Sequence, residues 1–511
     1  ITVSFVGYKT FEVSLNGRSV LDVSLEADIS ALEEVVVVGY GEVKKSDLTG
    51  SVSTVKGDDI ANRQTPQISQ ALQGAVPGVM VTRSNNAPGS DATIRIRGIT
   101  TIGDSNPLVI IDGVPGNLND VNPIDVESIT VLKDGASASI YGSRAAAGVI
   151  LITTKRAESG QLNIEYNVEY GVEKPTTLPE FSDVIRYMEI TNELRWNDNG
   201  NTGDENPIYS RDFIDDYLLM NASDPDTYPN TDWVELILRK NAPRQSHVIS
   251  VTAGSKDIRT KATITYDKIE GLYDRSYERL TGRINNDVTI NKYLSVTLDL
   301  YAKRSTNKSL NGQPINHMWL MPGIYPATWS DGRIAEGKIG VNPYASYNFG
   351  GFNNTFNNQI RGKASIDFKP IDGLKFSAIV SPTINFTKSK ALRKKLPYYD
   401  QDDPTILDGY IEGLSSTGLT ESRSEGYYIT SQLLASYNKT IADHSINLMA
   451  GYENYYNFFE NARTSSDQLE LSNYPYLDLA NPNFLSTSGN AIETAYRSYF
   501  GRLMYDFKGR Y

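Results

Sequence analysis

Three histidines, His247, His317 and His444, and no cysteine make up the chain's supply of imidazole and thiol groups. The histidines stand far apart and none sits in a His-Glu-x-x-His pattern, so zinc has no ligand spacing to use. No Gly-x-Ser-x-Gly elbow lifts a serine out for acyl transfer. In "GYGEVKKS", residues 39–46, glycines precede Lys-Lys-Ser, but the spacing of a phosphate loop is not met. The acidic stretch "DQDDPTILDG" carries Asp400, Asp402, Asp403 and Asp408. It lacks EF-hand spacing and reads as a solvated acidic loop ahead of a calcium site. An enzyme, a metal centre and a bound cofactor all lack support in these residues.

A different chemistry is offered by "ALEEVVVVGYGEVKKS", residues 31–46, where Val35, Val36, Val37 and Val38 stand between two glutamates and Gly39-Tyr40-Gly41. A run so short and β-prone suits an extended segment that pairs through its backbone, either as an interior strand of a preceding sandwich or as a strand offered to a partner.

The 511 residues exceed one ordinary domain, yet only 39% are hydrophobic, and 32 Tyr, 15 Phe and 4 Trp accompany 40 Gly. That composition fits neither a disulfide-stapled domain nor a helical membrane protein. No run reaches the roughly 18 apolar residues of a spanning helix. The net charge of −12 argues against general nucleic-acid binding.

Three textures follow one another. Residues 1–28 alternate around Asn16-Gly17 and read as the last hairpin of a small β-sandwich, as if the chain begins within a domain; 29–46 form a linker. Residues 47–155 are mixed and glycine-rich: a short helix ending at Gly74, strands in "ATIRIRGI" and "PLVIIDGVP", then strand, helix, turn and strand through "VESITVLKDGASASIYGSRAAAGVILITTK". A compact α+β domain is expected there. Residues 156–511 consist of long strands of period two. Ile164, Tyr166, Val168 and Tyr170 alternate with Asn163, Glu165, Asn167 and Glu169, and similar alternation returns at Val296 to Leu300, Ala364 to Phe368 and Tyr499 to Phe507.

About ten such strands are expected, starting near 161, 244, 258, 278, 293, 357, 374, 425, 444 and 494, joined alternately by tight turns and by links that are mostly long, such as 173–243 and 306–356, with only 270–277 short. Tight turns on one rim, long loops on the other and an apolar face rich in Tyr and Phe are the pattern of a transmembrane β-barrel. The expected fold is therefore mostly β: an α+β domain followed by a partial antiparallel barrel.

The ordered motifs "LEEVVVVGYGEVKKSDLTGSVSTV", "ISQALQGAVPGVMV", "IRIRGI", "PLVIIDGVP" and "ITVLKDGASASIYGSRAAAGVILITTK" resemble the SusC/RagA-type TonB-dependent outer-membrane transporters of Bacteroidetes. "TDWVELIL", "YDKIEGLYDRSYERLTGRIN" and "YRSYFGRLMYDFKGRY" extend the resemblance through the chain. It implies a plug inside a barrel of about 22 strands, so the chain reads as a fragment: the end of a carboxypeptidase-regulatory-like sandwich, the plug, and roughly the first ten strands.

The same resemblance makes Glu34, Val35, Val36, Val37, Val38, Gly39 and Tyr40 the Ton box, a strand for the periplasmic protein TonB and its inner-membrane energising complex. Arg95, Arg97, Gly98, Asp112, Gly113, Lys133, Tyr141, Gly142 and Arg144 become plug motif positions. The arginines either pair with acidic residues to seat the plug or contact substrate or barrel-wall carboxylates, and Asp112 is a turn residue or takes part in plug movement. Trp319, Tyr325, Trp329, Tyr344, Tyr347, Phe349 and Phe352 are candidates for contact with substrate or with a SusD-like surface lipoprotein; they could equally pack their own loop. The implied function is TonB-dependent import of an oligosaccharide or peptide through the outer membrane, in contact with its lipid. The alternative is a receptor, adhesion or signalling barrel.

Overall fold

The computed structural model describes residues 2–3, 11–12, 23, 35–38, 40–44, 51–99, 102–160 and 162–507. The Asn16-Gly17 hairpin expected within 1–28 lies outside the described residues; Thr2–Val3 pairs with Phe11–Glu12. Val35–Val38 forms an antiparallel hairpin with Gly41–Lys44, in the register Val37 opposite Glu42. Of the Ton box positions, Glu34 and Gly39 lie outside the described residues.

The plug is built on a five-stranded sheet in the order Val52–Lys56, Val126–Leu132, Val149–Thr154, Leu108–Ile111, Val114–Pro115. The central strands read Val-Ile-Leu-rich because both faces are covered. Ile129, Val131, Ile150 and Ile152 join Ile60, Ile68 and Leu72 from two short helices in one core, while Leu132, Val149 and Leu151 pack with Ala138 and Tyr141 in a second cluster. Gly57 opens the first helix so close to the sheet that a Cβ there would lie 1.7 Å from the Val126 carbonyl oxygen. Gly57→Ala is expected to destabilise the plug by about 1–3 kcal/mol through overpacking against backbone, read as a lower urea midpoint for plug proteolysis.

Ten strands form the second unit: β1 Leu162–Glu173, β2 Ala242–Gly254, β3 Ile258–Glu270, β4 Ser276–Thr289, β5 Leu294–Leu310, β6 Gly351–Ile371, β7 Leu374–Arg393, β8 Gly418–Ile441, β9 His444–Ser466 and β10 Leu485–Phe507. They pair in chain order in one 10-stranded antiparallel meander. The period-two pattern sets the two faces. Ile264, Leu300, Ile366, Val380, Leu433 and Leu503 stand exposed on one face, whereas Thr265, Arg283, Arg361, Thr383, Gln432 and Glu453 are buried on the other. An apolar face turned outward with a polar face packed on the plug is how a barrel wall meets lipid. Exposed Tyr293, Phe368, Phe376 and Tyr505 lie near the short-turn rim, as aromatic residues do at a bilayer interface.

The opposite rim differs from the expectation of plain long loops. Residues 174–241 hold helices Val184–Asp198, Arg211–Ser223 and Trp233–Ile237, each with its first turn capped by a polar side chain, Asp183, Ser210 and Asp232. The link after β5 adds Pro314–Met318 and Pro343–Phe349. Together with Met318, Met321 and Ala327, Trp233 and Ile237 make a loop core of their own.

Candidate functional site

Asp112 and Gly113 form the two-residue turn between Leu108–Ile111 and Val114–Pro115, both with positive φ, 50° and 87°. A type I′ hairpin demands that backbone, which Asp-Gly supplies at low cost. The Asp112 carboxylate accepts from Thr154 N at 2.9 Å and Thr154 Oγ1 at 2.8 Å. Its carbonyl accepts from Lys363 Nζ of β6 at 2.6 Å, and the next carbonyl, of Gly113, accepts from Gln432 Nε2 of β8 at 3.1 Å. A tight turn thus hands two backbone acceptors to the wall.

Beyond it, Asn117 and Asp120 close a capping box around a short 3-10 turn. The Asp120 carboxylate then meets Lys303 Nζ of β5 at 2.5 Å and Arg361 Nη2 of β6 at 2.9 Å. Burial alone would raise this carboxyl's pKa, but the two cations outweigh it and hold it below the ordinary carboxylate range. Asp112 is likewise held low against its burial by Lys363, Arg156 and Arg283. Asp125 ends up raised, because burial exceeds what Arg283 at 3.7 Å returns. Two residues past the last plug strand, Arg156 spans two wall strands, meeting Asp287 of β4 at 3.0 Å and Asp299 of β5 at 2.7 Å. Buried charges persist only when paired, and here each pair crosses the seam between plug and wall.

A second cluster lies at β9 and β10. Glu453, 1% exposed, accepts from Arg144 Nη2 at 2.6 Å, Gln432 Nε2 at 2.8 Å and the Tyr40 hydroxyl at 2.9 Å. Arg144 also bonds the Tyr496 hydroxyl and lies over that ring, 4.2 Å from its centroid. Tyr40 stacks on Phe500 of β10 with centroids 4.2 Å apart and tilts against Tyr141 of the plug at 5.3 Å. Burial, then Glu453, pushes the Tyr40 hydroxyl's pKa far up, so it stays a donor. Tyr40, two residues beyond the valine strand, is therefore wedged between plug and wall.

A family model described as the TonB-dependent receptor plug domain matches residues 44–149. The TonB-dependent receptor P26 of Formosa agariphila is 31% identical over 535 residues, covering 100% of this chain and 50% of that protein. The TonB-dependent receptor SusC of Bacteroides thetaiotaomicron is 35% identical over 298 residues, 56% of this chain and 27% of the relative. The fold of the RagAB peptide importer in its open-open state superimposes with a TM-score of 0.75 at 24% identity, over 93% of this chain and 55% of that one.

The chain is of the SusC/RagA type of TonB-dependent receptor. It spans about half the length of the curated relatives it matches across its whole extent. Receptors of this type are outer-membrane β-barrels, and among the described residues no helix is long and apolar enough to cross a membrane.

Within this SusC/RagA-type frame the positions singled out from sequence separate. Arg144 reaches the wall. Arg95 and Arg97 meet no wall carboxylate among the described residues. The strand Thr93–Ile96 alternates, so Ile94 and Ile96 enter the plug core while Arg95 bonds Asn106 Oδ1 at 2.7 Å; Arg97 follows the strand end with a φ of 57° and is exposed. Gly98 and Gly142 carry φ of 90° and 63°. Lys133 Nζ donates to Ser53 Oγ at 2.5 Å inside the plug. Among the loop aromatics, Trp319 stacks on Phe181 at 5.1 Å, and Tyr325, Tyr344 and Tyr347 line the loop core. Trp329 Nε1 donates to the Tyr399 carbonyl, Phe349 lies edge-on to Tyr344 and remains exposed, and Phe352 packs beside Leu392. Most of these rings are occupied in holding the loops together.

Proposed function

We propose that the full-length protein imports a nutrient, an oligosaccharide or a peptide, across the outer membrane, with TonB engaging residues 34–40 and a SusD-like lipoprotein covering the long-loop rim. The observation that carries this reading is the placement of Tyr40. A pull on the valine strand acts directly on the residue that shares Glu453 with plug Arg144, so force reaches the plug's contact with the wall. The valine strand provides main-chain groups for strand addition by the energising partner. The peptide class is suggested by the RagAB peptide importer, which shares the fold, and the oligosaccharide class by the SusC/RagA-type resemblance read in the sequence.

The test is uptake by cells with and without the complete gene, using labelled oligosaccharides and labelled peptides in parallel, with and without the proton gradient. Loss of energised uptake of one class on deletion supports the reading; unchanged uptake of both overturns it. A second expectation concerns the wedge. Tyr40→Ala removes a hydroxyl bonded to a carboxylate and a stacked ring, an interaction of about 1.5–3 kcal/mol for the charged hydrogen bond alone. Limited proteolysis in outer-membrane vesicles should then cut near residues 42–50 at least about tenfold faster.

A further inference from the structure

Above the Arg361–Asp120 pair, toward the long-loop rim, lies a cavity of about 500 Å³ between the plug turn at Gly116 and Asn117 and the walls of β6, β7, β8 and β9. It falls within the size range of small-ligand sites. Its lining has a consistent chemistry. On facing rungs of β6 and β7, Gln359 stands opposite Asn385 and Asn357 opposite Thr387. Gln359 Nε2 donates to Asn385 Oδ1 at 2.9 Å and Thr387 Oγ1 to Asn357 Oδ1 at 2.9 Å. Gln359, 8% exposed, leaves its Oε1 without a hydrogen-bond partner. A buried acceptor in that state is costly unless something donates to it.

The far wall is aromatic. Tyr428 and Tyr455 line the cavity with centroids 5.9 Å apart, and Tyr455 stacks on Tyr496 at 4.8 Å, continuing toward Arg144. The charged groups at the cavity floor are committed to one another: Lys303 and Arg361 to Asp120, and Arg361 also to the Tyr428 hydroxyl at 3.0 Å.

We propose that this cavity is a binding subsite for a neutral oligosaccharide, whose hydroxyls pair with Gln359, Asn385 and Asn357 while a sugar face lies on Tyr428 or Tyr455. The proposal deepens the import reading above and rests on it. Vicinal hydroxyls each donate and accept, as side-chain amides do, and a hydroxyl donating to Gln359 Oε1 satisfies the orphaned acceptor. An anionic sugar would have to compete with Asp120 for its two cations, and among the described lining residues a short peptide's termini would find no uncommitted charge.

The experiment uses outer-membrane vesicles from source cells carrying the wild-type gene, no gene, Gln359→Leu, Asn385→Leu or, as a control on the same strand outside the cavity, Asn353→Leu. Vesicles are incubated with three end-labelled pools: neutral oligosaccharides from starch, xylan, mannan and laminarin; uronate oligosaccharides from alginate and pectin; and a casein digest. Wild-type vesicles are expected to retain members of the neutral pool above the gene-less background. Gln359→Leu and Asn385→Leu should each weaken that retention about tenfold, with Asn353→Leu unchanged and all variants equally abundant and heat-stable. Retention confined to the uronate or peptide pool, no retention by wild type, or full retention by the two cavity variants would overturn the proposal. Energised uptake lost on gene deletion but kept in both cavity variants removes the subsite alone; uptake kept on deletion removes the import reading itself.

Discussion

Proline at Val37 of the full-length protein reduces energised uptake to the level of cells lacking the gene, while the protein still folds and sediments with outer membranes. Val35–Val38 is paired through its backbone with Gly41–Lys44, and Val37 sits opposite Glu42. Proline removes one N–H and fixes φ, so it weakens any ladder that includes this position, whether with the hairpin partner or with a strand of TonB. The plug core and the ten-stranded wall are built from other residues, so both are expected to form with proline at residue 37. The control is Val37→Thr, which keeps the donor and the β-branched shape and should keep uptake within about threefold of wild type. Uptake assayed beside the abundance of sedimented protein distinguishes lost coupling from lost protein. Full uptake by the proline variant at normal abundance would remove residues 34–40 from the energising step.

The wall was legible because a strand between lipid and a polar interior must alternate, and that constraint marks each residue of it. Where the constraint lapses, so did the reading. β8 begins at Gly418, well before the alternation of "GYYITSQLLASY" starts, because "TESRSE" is polar on both faces. β5 likewise runs on through "RSTNKSL" to Leu310. The rim helices are illegible in the sequence for a related reason: Val184–Asp198 buries only Val184, Met188 and Asn192, too narrow a stripe to stand out.

The seam was hidden for a different reason. Arg361 and Asp120 are 241 residues apart, and Arg144 and Glu453 are 309 apart. Alternation placed Arg361 and Glu453 on the polar face, but no local pattern says which plug residue each will meet. Arg95 stands on the face of the Val79–Thr82/Thr93–Ile96 hairpin opposite Ile94 and Ile96, and Arg97 follows the strand end, so neither marks the seam seen at Arg144. The signal that could have found the seam was the set of inward charges on the wall strands, Arg283, Asp287, Asp299, Lys303, Arg361, Lys363 and Glu453 among them.

Asp120→Ala in the full-length protein should loosen the plug more than any other single carboxylate change at the seam. Asp120 is the shared partner of Lys303 and Arg361, whose side chains are 17% and 7% exposed. Removing it leaves two buried cations without their carboxylate, a loss of about 3–5 kcal/mol. It also removes half of the capping box with Asn117. Asp120→Asn separates the two effects, since the amide keeps the shape and an acceptor for the Asn117 N–H but not the charge; it should lie between alanine and wild type.

The pH dependence has a definite sign. The folded carboxyl is held below its unfolded value because Lys303 and Arg361 outweigh its burial. Its stabilising contribution is therefore present above the unfolded value, near pH 4, and is lost as pH falls through the lowered folded value. Wild-type plug protection, measured by protease resistance in urea, should fall across that acid window. In Asp120→Ala this component should be missing, with protection already low at neutral pH. An alanine variant whose plug resists protease as well as wild type at neutral pH would mean that the wall holds the plug without this triad.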